Sequence, residues 1–367
     1  MNRLAPAPFS TLDANRICII KPSSLGDVVQ ALPILSALRT RFPHAHIAWL
    51  VNRSYASLLR PIRMLDEVIE FDRERFREGG LVALKGYFDF LADLADRKFE
   101  LTIDLQGLLR SGSMSWATRA PKRFGLASAR EGASFFYTYV VDDLPVEQGA
   151  VQRYWKLASA FGVGHLPKEF PLDLTAVERS WASEQLKRLR RPIVAINAGA
   201  RWETKRWPAE RFAEVARRAG SATVASYVLV GGPGEEPIAE EVRQGLPADA
   251  VNLCGKTSLR HLAAILEQCD LVLTNDSGPM HLAAAVGTRT VSIFTCTSPE
   301  RAGPFGWGHR IVQTNVPCKA SYIKQCDRMD CMKDVTVDSV LPVLTDAIHC
   351  LPSRDAACSA VGQRRVA

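Results

Sequence analysis

The feature that most constrains this chain is a rhythm of short apolar runs alternating with helix-length segments, and it occurs twice. Arg16–Ile20 reads as a strand, and a helix-like segment runs from about Gly26 to Arg41. His46–Val51 is a second strand, Glu67–Phe71 a weaker third, and Leu101–Asp104 follows the helical stretch Tyr87–Arg97. After Pro192 the pattern restarts. Ile193–Ile196, Tyr227–Val230, Val251–Leu253, Asp270–Thr274 and Thr290–Phe294 read as strands. Ala209–Ala219, Glu235–Gln244, Ser258–Gln268 and Pro279–Val286 read as the helices between them. Strands alternating with helices imply parallel sheets covered on both faces. The expected fold class is therefore α/β, with two Rossmann-like doubly wound domains spanning 1–175 and 176–350 and a loose, aperiodic tail over 351–367. Gly162–Pro192 is the linker candidate, and Pro33 predicts a kink or late start in the first helix.

At 367 residues the chain is long enough for two such domains and their cores. The formal net charge of +7 favours an anionic partner without choosing one. No segment reads as a signal peptide or approaches the ~18 apolar residues of a membrane span, so the expected location is the cytoplasm. The nine cysteines are then expected as thiols. Cys18, Cys254 and Cys296 lie in or beside strand-like runs and read as small core residues.

In open α/β sheets ligands bind beyond the carboxyl ends of the strands, so the loops there carry the functional argument. The first strand ends in Lys21-Pro22-Ser23-Ser24-Leu25-Gly26-Asp27, which is not a dinucleotide fingerprint. Asp27 opens a helix. On the residues alone, helix capping is the simpler reading, and a general base for a hydroxyl proton is the functional one. After Ile193–Ile196 comes a small-residue loop, Asn197-Ala198-Gly199-Ala200, followed by Lys205 and Arg206. Close backbone approach plus fixed positive charge suits a diphosphate, while Trp207 packs under the helix that Pro208 opens. Gly231-Gly232-Pro233-Gly234-Glu235-Glu236 is a glycine-rich turn. Its acids either accept from ribose hydroxyls or favour the next helix N-terminus. Thr274-Asn275-Asp276-Ser277-Gly278-Pro279-Met280-His281 sits between a strand and a small-residue helix whose free N–H groups can receive a phosphate. Asp276 or Ser277 as a cap, and His281 as a buried histidine, are the structural alternatives.

Together these loops resemble the bacterial heptosyltransferase family, glycosyltransferase family 9. The likeness extends from Ile17 to about Leu344. It rests on Ser23-Ser24-Leu25-Gly26-Asp27, Asp104-Leu105-Gln106-Gly107-Leu108, Thr204-Lys205-Arg206-Trp207-Pro208 and Asp276-Ser277-Gly278-Pro279-Met280-His281-Leu282. It implies a GT-B architecture, two Rossmann-like domains facing a cleft, with acceptor binding in the first and donor binding in the second. It also implies an inverting, metal-independent transfer of heptose from ADP-heptose to the inner core of lipopolysaccharide. Asp27 becomes the base. Lys205, Glu235, Thr257, Asp276, Ser277, Gly278, His281 and Ala200 fall on the donor side. Ser24, Arg73, Arg75, Arg77 and Arg130 fall on the acceptor side, although a charge run such as Arg73–Arg77 equally reads as a solvated face.

The resemblance implies no cofactor beyond the donor substrate, and the sequence holds no Asp-x-Asp pair of the kind that seats a metal beside a nucleotide-sugar. The implied partners are the nucleotide-sugar and an anionic lipopolysaccharide precursor, which places the enzyme in the cytoplasm or peripherally at the inner membrane's cytoplasmic face. No nucleic-acid motif is present. Two features depart from the family pattern. Gly149 precedes Ala150-Val151-Gln152-Arg153 where many relatives carry His, and Cys318, Cys326 and Cys331 do not make a standard zinc spacing. The alternatives are a relative with another nucleotide-sugar or surface-glycan acceptor, and a non-catalytic nucleotide-sugar-binding protein.

Overall fold

A computed structural model describes residues 8–72 and 80–351. The chain divides into two compact units, Met1–Asp173 and Leu174–Ala367. In the first, β1 (Arg16–Ile20), β2 (His46–Asn52), β3 (Glu67–Phe71), β4 (Leu101–Asp104), β5 (Lys122–Leu126) and β6 (Tyr139–Val141) form one sheet of order β3-β2-β1-β4-β5-β6. Every pairing is parallel. In the second, β7 (Ile193–Asn197), β8 (Ser226–Leu229), β9 (Val251–Asn252), β10 (Leu271–Asn275), β11 (Arg289–Phe294) and β12 (Arg310–Gln313) take the order β12-β11-β10-β7-β8-β9. These are also parallel throughout. Counted from its own first strand, each sheet has the same order. Each therefore has one switch point, between β1 and β4 and between β7 and β10, where successive crossovers diverge.

Burial explains why the central strands form. Ile17, Cys18, Ile19 and Ile20 of β1 are fully buried, and so are all five residues of β10. A strand covered on both faces needs a continuous apolar run rather than an alternating one. Each buried isoleucine contributes about 1.5–3 kcal/mol. Cys18 is shut away from water, and burial pushes its thiol pKa far up, as a core residue rather than a reactive one. Cys254 is pushed up to about 11 by burial, with Glu235 and Glu236 adding to the rise.

The first helix runs from Leu25 to Arg41 with Pro33 inside it, so it has no late start. Pro33 is buried, and packing in the core offsets the missing backbone donor. Of the segment expected as a linker, the part from Leu174 onward belongs to the second unit. Thr175 caps helix Ala176–Leu186 through a capping box with Glu178. Arg260 then holds Glu178 at 2.7 Å, which pulls the Glu178 carboxyl down to about 2. Arg179 reaches Glu267 at 2.7 Å from the same helix. No helix among the described residues is long and apolar enough to cross a membrane.

Candidate active site

In the first unit the switch point is built by the ends of β1 and β4. Asp27 is the third residue of helix Leu25–Arg41 and closes a capping box with Ser24. Asp27 Oδ2 accepts from the Ser24 amide at 3.0 Å and from the Ser24 hydroxyl at 2.8 Å. The Asp27 side chain nonetheless stays 39% exposed. Behind it lies Lys21, only 2% exposed, with Nζ 3.9 Å from Asp27 Oδ1. Lys21 Nζ donates to the Leu105 carbonyl at 3.2 Å and sits 5.2 Å from the centre of the Tyr154 ring. Burial opposes its charge, but Asp27, Tyr154 and Asp104 outweigh burial and hold its pKa above the ordinary lysine value.

Asp104 ends β4 and makes the neighbouring turn. Its Oδ1 accepts from the Gln106 and Gly107 amides at 2.8 and 3.1 Å, and its Oδ2 from the Tyr137 hydroxyl at 2.7 Å. Gln106 Oε1 in turn accepts from the Ser23 amide at 3.3 Å. Gly107 has φ +65°, and a Cβ there would stand 3.2 Å from Ala129 Cα, so the turn requires glycine. Arg130 is exposed and its amide donates to the Gly107 carbonyl at 2.8 Å. Arg153 is spent on structure. Its guanidinium holds the buried Asp143 at 2.6 Å and also bonds Ser128. Arg73, Arg75 and Arg77 lie outside the described residues.

In the second unit the switch point joins the ends of β7 and β10. Lys205 Nζ lies 2.6 Å from Asp276 Oδ2, with Asp276 only 5% exposed. Thr297, beyond the end of β11, donates to the same oxygen at 2.7 Å. Asp276 Oδ1 accepts no hydrogen bond among the described residues. Ser277 precedes helix Gly278–Ala285, which has no acidic residue in its first turn and no side-chain cap. Asn197, buried at the end of β7, donates to the Gly199 carbonyl at 3.0 Å and to Ser277 Oγ at 2.9 Å. The Ala200 carbonyl accepts from Arg206 at 2.6 Å, and His281 is buried one turn into the helix.

Two neighbouring loops complete this edge of the sheet. Glu235 Oε2 accepts from the Gly232 amide at 2.8 Å. The same carboxyl lies across Gly199, where a Cβ would come within 2.2 Å of it. Glu235 therefore belongs beside the β7 loop, not out in solvent. Gly255 bonds back to the Gly231 carbonyl at 3.2 Å, which sets half-buried Thr257 next to that turn. The cysteine-bearing loop reaches the same region. The Ile323 carbonyl accepts from Thr204 at 2.7 Å, and Lys324 Nζ stands 5.4 Å from the Trp202 ring centre, with Lys205 Nζ 4.5 Å from that ring. Cys331 is buried, Cys326 half-buried and Cys318 exposed.

The structure thus gathers Lys205, Asp276, Ser277, Gly278 and Ala200 at one switch point with Glu235 and Thr257 alongside, and Asp27 with Ser24 at the other. Sequence reasoning missed Lys21, Tyr154, Asn197 and Thr297. The first, third and fourth follow strand ends on the ligand side of a sheet, which was a usable signal. Nothing in the spacing of Tyr154 pointed to Lys21.

The two switch points of this α/β protein set a part-exposed carboxylate on one unit, and a lysine–aspartate pair beside a helix N-terminus without a side-chain cap on the other. The chain belongs to glycosyltransferase family 9 (heptosyltransferase), whose model matches residues 88–332. It is 29% identical to lipopolysaccharide heptosyltransferase 1 of Pseudomonas aeruginosa, over 85% of this chain and 87% of that protein. A family 9 glycosyl transferase from Veillonella parvula superposes with a TM-score of 0.76 at 24% identity, covering 92% of this chain and 98% of that one. An E. coli heptosyltransferase solved with ADP-2-deoxy-2-fluoro heptose superposes at 0.72 with 22% identity, covering 90% and 99%. The architecture is accordingly the GT-B type, and the chain is a glycosyltransferase.

Proposed function

We propose that this enzyme transfers heptose from ADP-heptose to the inner core of lipopolysaccharide, with inversion and without a metal ion. The observation that carries the reading is the Lys205–Asp276 pair beside the uncapped N-terminus of helix Gly278–Ala285, at the switch point of a family 9 chain. Lys205 and the helix N–H groups suit the diphosphate, and stabilise the charge that grows on it as the glycosidic bond breaks. Asp276 keeps Oδ1 for a sugar hydroxyl because Lys205 and Thr297 both use Oδ2. Glu235 and Thr257 lie where ribose and adenine would extend from that diphosphate. Fixed cations do the electrostatic work, so no metal enters the mechanism.

Asp27 is the base that takes the acceptor hydroxyl proton as the oxygen attacks the anomeric carbon from the face opposite ADP. The capping box fixes its orientation, and its side chain is 39% exposed. Ser24, Arg130 and the Arg73–Arg77 segment serve the acceptor, an anionic lipid precursor that brings the protein to the cytoplasmic membrane face. Transfer of heptose from ADP-heptose to Kdo-terminated and heptose-terminated acceptors, with EDTA present, tests the whole reading. Turnover on one of them with inversion at the anomeric carbon is expected. Failure on both, or dependence on an added divalent ion, would sink it.

A further inference from the structure

We propose that Lys21 is a positioning residue for the reaction: its buried ammonium, set between Asp27, Tyr154 and the Leu105 carbonyl, keeps the Asp27 carboxylate ionised and aimed. The inference rests on the assignment of Asp27 as base. A lysine that is 2% exposed is rare, because taking an ammonium out of water costs several kcal/mol unless it is paired and hydrogen-bonded. Lys21 has one carbonyl at 3.2 Å and one carboxylate oxygen at 3.9 Å, and the aromatic face of Tyr154 at 5.2 Å. Its other charged neighbour, Asp104, already holds two amides and the Tyr137 hydroxyl. Asp27 is the carboxylate in contact range of both the buried ammonium and solvent.

The arrangement divides the two Asp27 oxygens. Oδ2 receives the Ser24 amide and hydroxyl, while Oδ1 faces Lys21. A purely structural lysine would need no partner that stays 39% exposed at a strand end. Protonating Asp27 would leave the ammonium facing a neutral acid, so Lys21 disfavours the resting protonated state and speeds loss of the proton after each transfer. Among the described residues, Tyr154 from helix Gly149–Ala160 interacts electrostatically with both Lys21 and Asp27, and Asp104 from the end of β4 with Lys21. Lys21 is a cation in contact with Asp27, at 3.9 Å from its Oδ1. Tyr154, raised above an ordinary tyrosine chiefly by burial, stays neutral across the working range. This also gives the helix carrying Ala150–Arg153 a role: Arg153 anchors it and Tyr154 walls in Lys21.

The test is the pH profile of transfer from ADP-heptose in Lys21→Met, Lys21→Gln and Lys21→Arg, with near-UV circular dichroism as the fold control. An opposite charge in contact shifts a carboxylate by about 1–3 units. Removal of the cation should therefore move the acidic limb of kcat/KM up by about that much in Lys21→Met. Lys21→Gln, whose amide still donates to the Leu105 carbonyl, covers the case in which the methionine variant does not fold, and should show the same move. Lys21→Arg should leave the limb in place. A limb that stays put in a folded Met or Gln variant, whatever the fall in amplitude, overturns the inference. Asp27→Asn separates the two levels. If it turns over normally, the base assignment itself fails. If it is inactive while the Lys21 limb stays put, only the role of Lys21 fails.

Discussion

The two units share a strand order and differ in what sits at the switch point. In the first, the helix leaving the switch point carries an acid, Asp27, in its first turn, and that carboxylate accepts from the amide and hydroxyl of Ser24 just before the helix. In the second, helix Gly278–Ala285 begins without an acid and without a side-chain cap, and the nearest carboxylate is turned away toward Lys205 and Thr297. One helix end carries its own anion in the first turn and the other does not. Under the proposed reading, a single topology serves a base in one copy and a phosphate grip in the other.

The largest break in this comparison is Asp27→Ala. It should lower kcat by about 10²–10⁴-fold and leave ADP binding, measured by calorimetry, unchanged. A parallel loss of ADP affinity would show that the carboxylate is not confined to the acceptor side. Lys205→Met comes next. It leaves Asp276 buried without its cation, at a cost of about 3–5 kcal/mol in stability, and ADP affinity should fall with it. Denaturant midpoints together with calorimetry read both effects, and an unchanged midpoint would mean the pair is not buried in solution.

Ser277→Asp addresses the comparison directly, because it gives the second helix the internal anion that the first already has. Stability should rise by about 0.3–1 kcal/mol while ADP affinity falls by at least about tenfold. Unchanged ADP affinity would place the diphosphate elsewhere. The smallest expected effect is that of Thr297→Val. Loss of one hydrogen bond worth about 1 kcal/mol should raise the donor KM by about fivefold with little change in kcat. A kcat effect larger than the KM effect would give Thr297 a part in the chemical step.

Much of this was legible beforehand. The central strands β1, β7 and β10 are built on short continuous apolar runs, and such runs identify doubly covered strands without any tertiary information. The residues after them were legible for the same reason, since the rule about strand ends names the loops before any coordinates exist. The peripheral elements were not. β6 is three residues and β12 four, too short for a period to show. Helix Gly149–Ala160 begins at a glycine with φ +72°, which reads as a break rather than a start. Lys21 was quoted in its loop and given no role. Its burial is set by Leu105 and Tyr154, far along the chain. Pair interactions across such separations leave no local trace in composition or periodicity. The same holds for Thr297, whose link to Asp276 arises only when the ends of β10 and β11 come together.

Trp202 has a practical use. Its indole carries the Lys205 ammonium on one contact and Lys324 on another, 4.5 and 5.4 Å from the ring centre. Indole emission responds to charge held close to the ring, so an anion that draws either lysine aside changes the colour and yield of that one fluorophore. The other tryptophans give a constant background that a Trp202→Phe control subtracts. With the donor diphosphate at Lys205 as proposed, its occupancy is readable as an optical signal from the unlabelled protein, suited to stopped-flow timing of ADP release and to screening small dianions as inhibitors.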